Sequence, residues 1–265
     1  MKSLAEIVPE LRRAVARADY TLSAEAYSAL ADLFLAALAE PEALPSLAPE
    51  YARPELLLNV DAGGAPAPFP AEAPTGYRAL LAAHPSFGEW LVPNTGTGVL
   101  LPRWLCHLSG LRHRTVQLYI DHPALAGHTL VQVRSFSKVQ YPGCFDLPVA
   151  GHVVGPDAPA AALGKELAEE LGLASDDIEG LQCLGAHANG APEARGNICD
   201  CELSILYRCR LRPGGLARIH FADGEAAAIC VFSLPELERM LTQCPERVAS
   251  GLHHSFAAYC RGKRL

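Results

Sequence analysis

Nowhere in the 265-residue chain does an apolar run reach the roughly 18 residues that a membrane-crossing helix needs. The opening Met1-Lys2-Ser3-Leu4-Ala5-Glu6 brings in an acid early and holds no continuous apolar core, so it does not read as a secretory leader. A cytoplasmic protein is expected. Cationic excess is also missing. Lys and Arg number 22 against 29 Asp and Glu, and the net charge of −7 argues against a protein that coats nucleic acid or an anionic membrane. The chain has no Cys-x-x-Cys pair, and its nine cysteines are an odd number, so neither a disulfide framework nor a zinc knuckle is favoured. Reduced cysteines serving as small hydrophobes are the expectation. Asn94-Thr95-Gly96-Thr97-Gly98 lacks the glycine pattern of a phosphate-cradling P-loop. No repeat of 20–50 residues is evident.

Half the residues are hydrophobic, which is enough for a proper core. Residues 3–18 and 22–39 read as amphipathic helices. The first opens on a Ser3-x-x-Glu6 capping box, and Leu30, Leu33, Phe34, Ala37 and Leu38 stripe the second. Pro9 falls inside the first helix, where it would kink it or delay its start. Pro41, Pro45, Pro49 and Pro54 then rule out a long regular helix. Leu56–Val60 reads as a strand, 77–84 as a short helix, and Tyr77, Phe87, Trp90 and Trp104 as core aromatics before base-stacking groups. Strands follow at Thr115–Ile120, Leu125–Val133, Leu147–Val154, Ile178–His187, Cys199–Leu211 and Ala227–Phe232. Ser233-Leu234-Pro235-Glu236 opens a helix, and Gly251–Cys260 forms a last one. The division expected is an N-terminal helical extension over 1–50, a strand with insertion and linker over 51–102, and the main domain over 103–265.

The stretch Gly151–Leu173 organises the chain. Asp157 is placed to cap a helix, Pro159 suits its first turn, and Gly172 suits the left-handed position just past its end. Glu166, Glu169 and Glu170 stand at i, i+3 and i+4 and gather on one face. They also crowd the last two turns, where the helix dipole disfavours carboxylates by roughly 0.3–1 kcal/mol each. Three such violations call for a compensating cation, and hard oxygen ligands favour Mg²⁺ or Mn²⁺.

This stretch resembles the Nudix box. Gly151, Glu166, Leu167, Glu169, Glu170, Gly172 and Leu173 match its spacing, while Asp157 replaces its usual Glu and Lys165 its usual Arg. The resemblance implies a Nudix α/β/α sandwich of the α/β class, with a mixed sheet. It implies a metal-dependent hydrolase that cleaves the diphosphate linkage of a nucleoside diphosphate derivative or related organic diphosphate. A homodimer is one of the states it allows. Glu166, Glu169, Glu170 and Asp157 would then hold the metal.

Further stretches, Gly110–Arg114, Arg134…Lys138…Tyr141-Pro142-Gly143 and Ala150-Gly151-His152, are similar to type I isopentenyl diphosphate isomerase and its hydrolase-like relatives. That similarity implies a metal set of His107, His113, His152, Asp200 and Glu202, and a diphosphate grip by Arg134 and Lys138. Asp200 or Glu202 would serve as general base or extra ligand. Two departures argue against isomerase activity. Ala150 stands where the isomerase has a catalytic Cys, and Ala188-Asn189-Gly190 offers no counterpart of its Tyr. Each such acid/base group is worth about 10²–10⁴-fold in rate. Glu166 and Glu169, by contrast, keep the hydrolase pattern. A hydrolase is the leading expectation, with an isomerase-like enzyme and a catalytically weak binding module as alternatives.

Overall fold

The computed structural model describes residues 2–48, 51, 55–71, 73–94, 98–188, 193–195, 197–221 and 224–262. In order, the elements are α1 (Leu4–Arg17), α2 (Ala24–Ala39), α3 (Leu44–Leu47), β1 (Leu56–Leu58), α4 (Ala73–Ala83), β2 (Val92–Asn94), β3 (Gly98–Pro102), α5 (Arg103–Ser109), β4 (His113–Asp121), β5 (His128–Arg134), β6 (Phe145–Asp146), β7 (Val149–His152), α6 (Pro159–Leu171), β8 (Ile178–Ala188), β9 (Glu193–Arg195), β10 (Ile198–Asp200), β11 (Glu202–Leu211), β12 (Ala226–Ser233), α7 (Leu234–Gln243) and α8 (Ser250–Gly262). No helix among the described residues is long and apolar enough to cross a membrane.

The chain forms two compact units. One comprises Met1–Arg114, Val153–Asp157 and Ala188–Leu203, and the other Thr115–His152, Ala158–His187 and Ser204–Leu265. The first unit therefore includes two short pieces from the second half of the sequence, 153–157 and 188–203.

In the first unit, the capping box at Ser3 forms as expected, and Pro9 is accommodated inside α1. Leu4, Ile7, Leu11 and Val15 of α1 share a core with Leu30, Leu33 and Phe34 of α2. Each such side chain contributes about 1.5–3 kcal/mol on full burial. Phe87, Trp90 and Trp104 lie in the same core, with Trp90 edge-on to Trp104 at 4.7 Å. The region of the expected loop at 94–98 instead contributes the ends of the hairpin β2–β3, which joins β1 in a three-stranded sheet. Its residues 95–97 lie outside the described set.

Fully buried Asn59 ties this unit together. It accepts from Leu22 N–H at 3.0 Å and donates to the carbonyls of Arg112 at 2.8 Å and Tyr20 at 3.2 Å. These bonds flank the turn in which Asp19 and Tyr20 take left-handed backbone angles, φ 48° and 61°.

In the larger sheet the order is β12-β5-β4-β11-β8, with β6 along β5 and β7 along β4. The ladders β12/β5, β4/β5, β5/β6 and β4/β7 are antiparallel. Along β4 and β11, His113 N–H reaches Cys201 O, and two residues on Thr115 Oγ1 reaches Ser204 Oγ. Those two strands therefore advance together, and the sheet is mixed.

Helices cover both faces. Gly151 looks toward Glu166 of α6, while its neighbour Ala150 shares the opposite face with Gln117, which lies against Gly251 of α8. Tyr259 of α8 stacks on Tyr119 of β4 at 3.9 Å, and its hydroxyl donates to Asp121. The architecture is the α/β sandwich expected, with helices added at the N-terminus. The expected strand Cys199–Leu211 breaks at Cys201 into β10 and β11.

Candidate active site

α6 begins at Pro159 with Ala158 as its N-cap, one residue later than the Asp157 expected, and Ala158 makes no side-chain cap. Asp157 is exposed and belongs to the first unit. The helix ends as the sequence demands. Gly172 sits at φ +64°, and its N–H bonds to Ala168 O at 3.0 Å.

Ala162, Leu163, Leu167 and Leu171 form the buried stripe of α6, and Glu170 lies within that stripe at 3% exposure. Its Oε2 accepts from Ala150 N–H at 3.3 Å. Burial pushes the Glu170 carboxyl well above the ordinary carboxylate range, and the nearby charges of Glu166, Asp146 and Glu225 push it further. A cation beside this carboxyl would favour its charged form, so the donor set fits a divalent ion.

Glu166 projects toward β7, where only glycine leaves it room. A Cβ on Gly151 would stand 2.1–2.4 Å from its carboxylate atoms. Gly151→Ala is accordingly expected to displace Glu166 and lower turnover about 10²-fold, the scale of an ångström's misplacement. Steady-state rates beside an unchanged unfolding midpoint would check this. Glu169 departs from the grouping of three. It is exposed, with its carboxylate 3.8 Å from Lys165 Nζ.

Arg134 and Lys138 are both engaged by acids. Arg134 Nη1 donates to Asp146 Oδ2 at 2.7 Å, and Lys138 Nζ stands 2.5 Å from Glu225 Oε2. A diphosphate held by these cations would have to draw them from carboxylates. Asp146 and Glu225 are the residues that sequence reasoning missed. They come from β6 and from the turn before β12, so no local spacing links them to α6.

The first unit contains a second cluster. Gly110, at φ +82°, ends α5 just past His107 and returns the chain to His113 on β4. His107 and His113 are buried, with ring centroids 5.1 Å apart. Asp200 closes β10 and Glu202 opens β11. One ligand atom from each of His113, Asp200 and Glu202 lies within 4.8 Å of the others. Asp200 Oδ1 is 3.8 Å from His107 Nε2 and 3.7 Å from His113 Nε2, and has no hydrogen bond among the described residues.

Those separations are too long for hydrogen bonds. They suit atoms each about 2.1 Å from a shared ion, which stand roughly 3–4 Å apart. His113 Nδ1 lies 3.0 Å from Leu111 O and must donate its proton there, leaving the lone pair on Nε2. Burial, then His107, lowers the His113 pKa to about 4, so the ring is neutral as a ligand requires. His152, the other expected ligand, closes β7 in the second unit opposite Thr115.

None of the nine cysteines is in a disulfide. Most are wholly or partly buried, as expected of small hydrophobes, whereas Cys183 is exposed.

The likeness is to Nudix proteins. Nudix hydrolase 3 of Arabidopsis thaliana is 38% identical over 77 residues, 29% of this chain, and the match spans only 10% of that relative's length. Among solved structures, MutT protein from Methanosarcina mazei Go1 superposes with a TM-score of 0.44 and 17% identity, covering 58% of this chain and 96% of that one. The NUDIX domain of Shewanella oneidensis NrtR, complexed with ADP ribose, gives 0.43 and 14% over 57% and 88% of the two chains. A C. elegans Ap4A hydrolase binary complex gives 0.41 and 16% over 57% and 97%. No family model matches the chain.

Proposed function

We propose that this protein is a Nudix pyrophosphohydrolase, a metal-dependent enzyme that cleaves the diphosphate linkage of a small organic molecule. The observation that carries the reading is Glu170, a carboxyl in the buried stripe of α6 whose pKa is raised by burial and then by Glu166, Asp146 and Glu225, while Glu166 itself fills the space that Gly151 leaves on β7. Glu166 and Glu170 would hold Mg²⁺ or Mn²⁺, with Glu169 at the exposed edge. When bound, the ion neutralises phosphate charge and lowers the pKa of a water. Arg134 and Lys138 would orient the diphosphate, released from Asp146 and Glu225 as the substrate's charge replaces theirs.

His107, His113, Asp200 and Glu202 would hold a further ion, with Glu202 also able to take a proton. That set supports placing the chain beside the isomerase-like branch of the family. The residue at 150 supports hydrolysis over isomerisation, because an alanine moves no proton.

The test is release of phosphate or nucleoside monophosphate from a panel of dinucleotide polyphosphates, NADH, ADP-ribose, nucleotide sugars, coenzyme A and isoprenoid diphosphates. Each is presented with Mg²⁺, with Mn²⁺ and with EDTA. Metal-dependent turnover of one class is expected. Binding that stabilises the fold without turnover at any metal concentration would replace the enzyme with a binding module.

A further inference from the structure

Two helices of the first unit leave a cavity between them. Along α2, Ala24, Tyr27, Ser28, Ala31, Asp32 and Leu35 recur at helical spacing and share one face. The buried stripe of Leu30, Leu33 and Phe34 lies on another. α4 turns Gly76, Ala79 and Leu80 toward the first face, and the walls enclose about 620 Å³. That falls within the roughly 300–1,000 Å³ of pockets that take small molecules. The small side chains on both walls let a ligand's body approach the helix backbones. A Cβ at Gly76 would stand 3.7 Å from Tyr27 Oη.

Tyr27 itself points to a ligand. It is only 8% exposed, and its ring is fixed edge-on to Phe69 at 5.9 Å and Phe87 at 6.5 Å. Yet the residue lines the cavity, and its hydroxyl has no hydrogen-bond partner among the described residues. Neighbouring Tyr77 differs, because its hydroxyl donates to Leu91 O at 3.0 Å. A tyrosine serving the core alone would be satisfied in the same way, so the Tyr27 hydroxyl takes its partner from the cavity.

Five residues further along α2, about 7.5 Å of helix rise, stands Asp32. It is exposed and forms no ion pair among the described residues. Lys2, whose charge interacts with it, is held by the two carboxylate oxygens of Glu10 at 2.8 and 2.7 Å. His84, edge-on to Phe34 at 6.0 Å, borders the same end. No Lys or Arg lines the cavity, so the carboxylate of Asp32 sets its charge.

We propose that this cavity binds a small arylalkylamine. The ammonium group pairs with Asp32, the ring lies between Ala31 and Ala79, and a polar ring atom meets Tyr27 Oη. Anions, a diphosphate included, are repelled by Asp32 and find no cation on the walls. Binding here requires neither the metal nor the chemistry of the α6 site.

The test is calorimetric titration of the full chain with tryptamine, tryptophol and indole-3-acetate. These share an indole and differ in carrying an ammonium, a hydroxyl or a carboxylate. Wild type is expected to bind tryptamine roughly tenfold more tightly than tryptophol, and indole-3-acetate most weakly. Asp32→Asn should erase the preference for tryptamine over tryptophol. Tyr27→Phe removes only the unpartnered hydroxyl, so it should keep the fold and weaken tryptamine about fivefold. Gly76→Leu should fill the cavity and abolish binding, and leucine suits a helix interior better than glycine. Equal binding of the three compounds by wild type, or of none, overturns the proposal. So does a tryptamine preference that survives both Asp32→Asn and Gly76→Leu, since the amine would then sit elsewhere. Should Gly76→Leu not fold, a preference unchanged in both Asp32→Asn and Tyr27→Phe overturns it equally.

Discussion

Glu170→Gln is expected to lower turnover roughly 10³-fold or more while leaving the fold at least as stable as wild type. The two halves of this result have one cause. Glu170 lies at 3% exposure among Glu166, Asp146 and Glu225, so its charge is both buried and repelled. Its carboxyl titrates above the ordinary 4.5 in the folded protein, which means the folded state holds that proton more tightly than the unfolded chain. Stability from this group is present below pH 4.5 and is lost as pH rises through the raised value.

Glutamine removes that loss, so the variant should gain on wild type toward neutral pH. It also removes the charge that would hold a divalent ion. Stabilisation of wild type by Mg²⁺ should therefore disappear in the variant. Wild-type turnover in Glu170→Gln would end the assignment of α6 as the metal helix. A lowered unfolding midpoint would mark Glu170 as a structural group.

The second large effect is on acid stability. His113 is fully buried, and burial followed by His107 lowers its pKa from 6.5 to about 4. Here the unfolded chain takes up the proton first as pH falls. Stability is therefore complete above about pH 6.5 and declines toward pH 4, by about 3 kcal/mol in total from this one ring. A metal at the cluster would deepen the dependence, since ligation also needs the neutral ring. His113→Asn keeps a donor for Leu111 O and removes the titration. Urea unfolding at neutral pH and near pH 4.5 should show a smaller acid loss in the variant than in wild type. An identical loss would place the acid sensitivity elsewhere.

Much of this protein is written in local sequence. The α6 carboxylates and the Gly172 stop were legible because helix spacing and the left-handed end are properties of neighbouring residues. The capping boxes at Ser3 and Ser233 have the same origin. Gly151 was legible as part of a motif, though its reason is tertiary, the absence of room beside Glu166.

The tertiary structure decided everything that depends on which strand lies beside which. It put Glu169 in solvent beside Lys165, and it tied Arg134 to Asp146 and Lys138 to Glu225. It also brought residues 103–114 and 188–203 into one unit with the N-terminal helices. Within that unit, Asp200 came against His107 and His113. A helix presents its face within two turns of chain, and such pairs can be counted along the sequence. A sheet joins residues some ninety positions apart, and only burial and pairing across strands determine which of them meet.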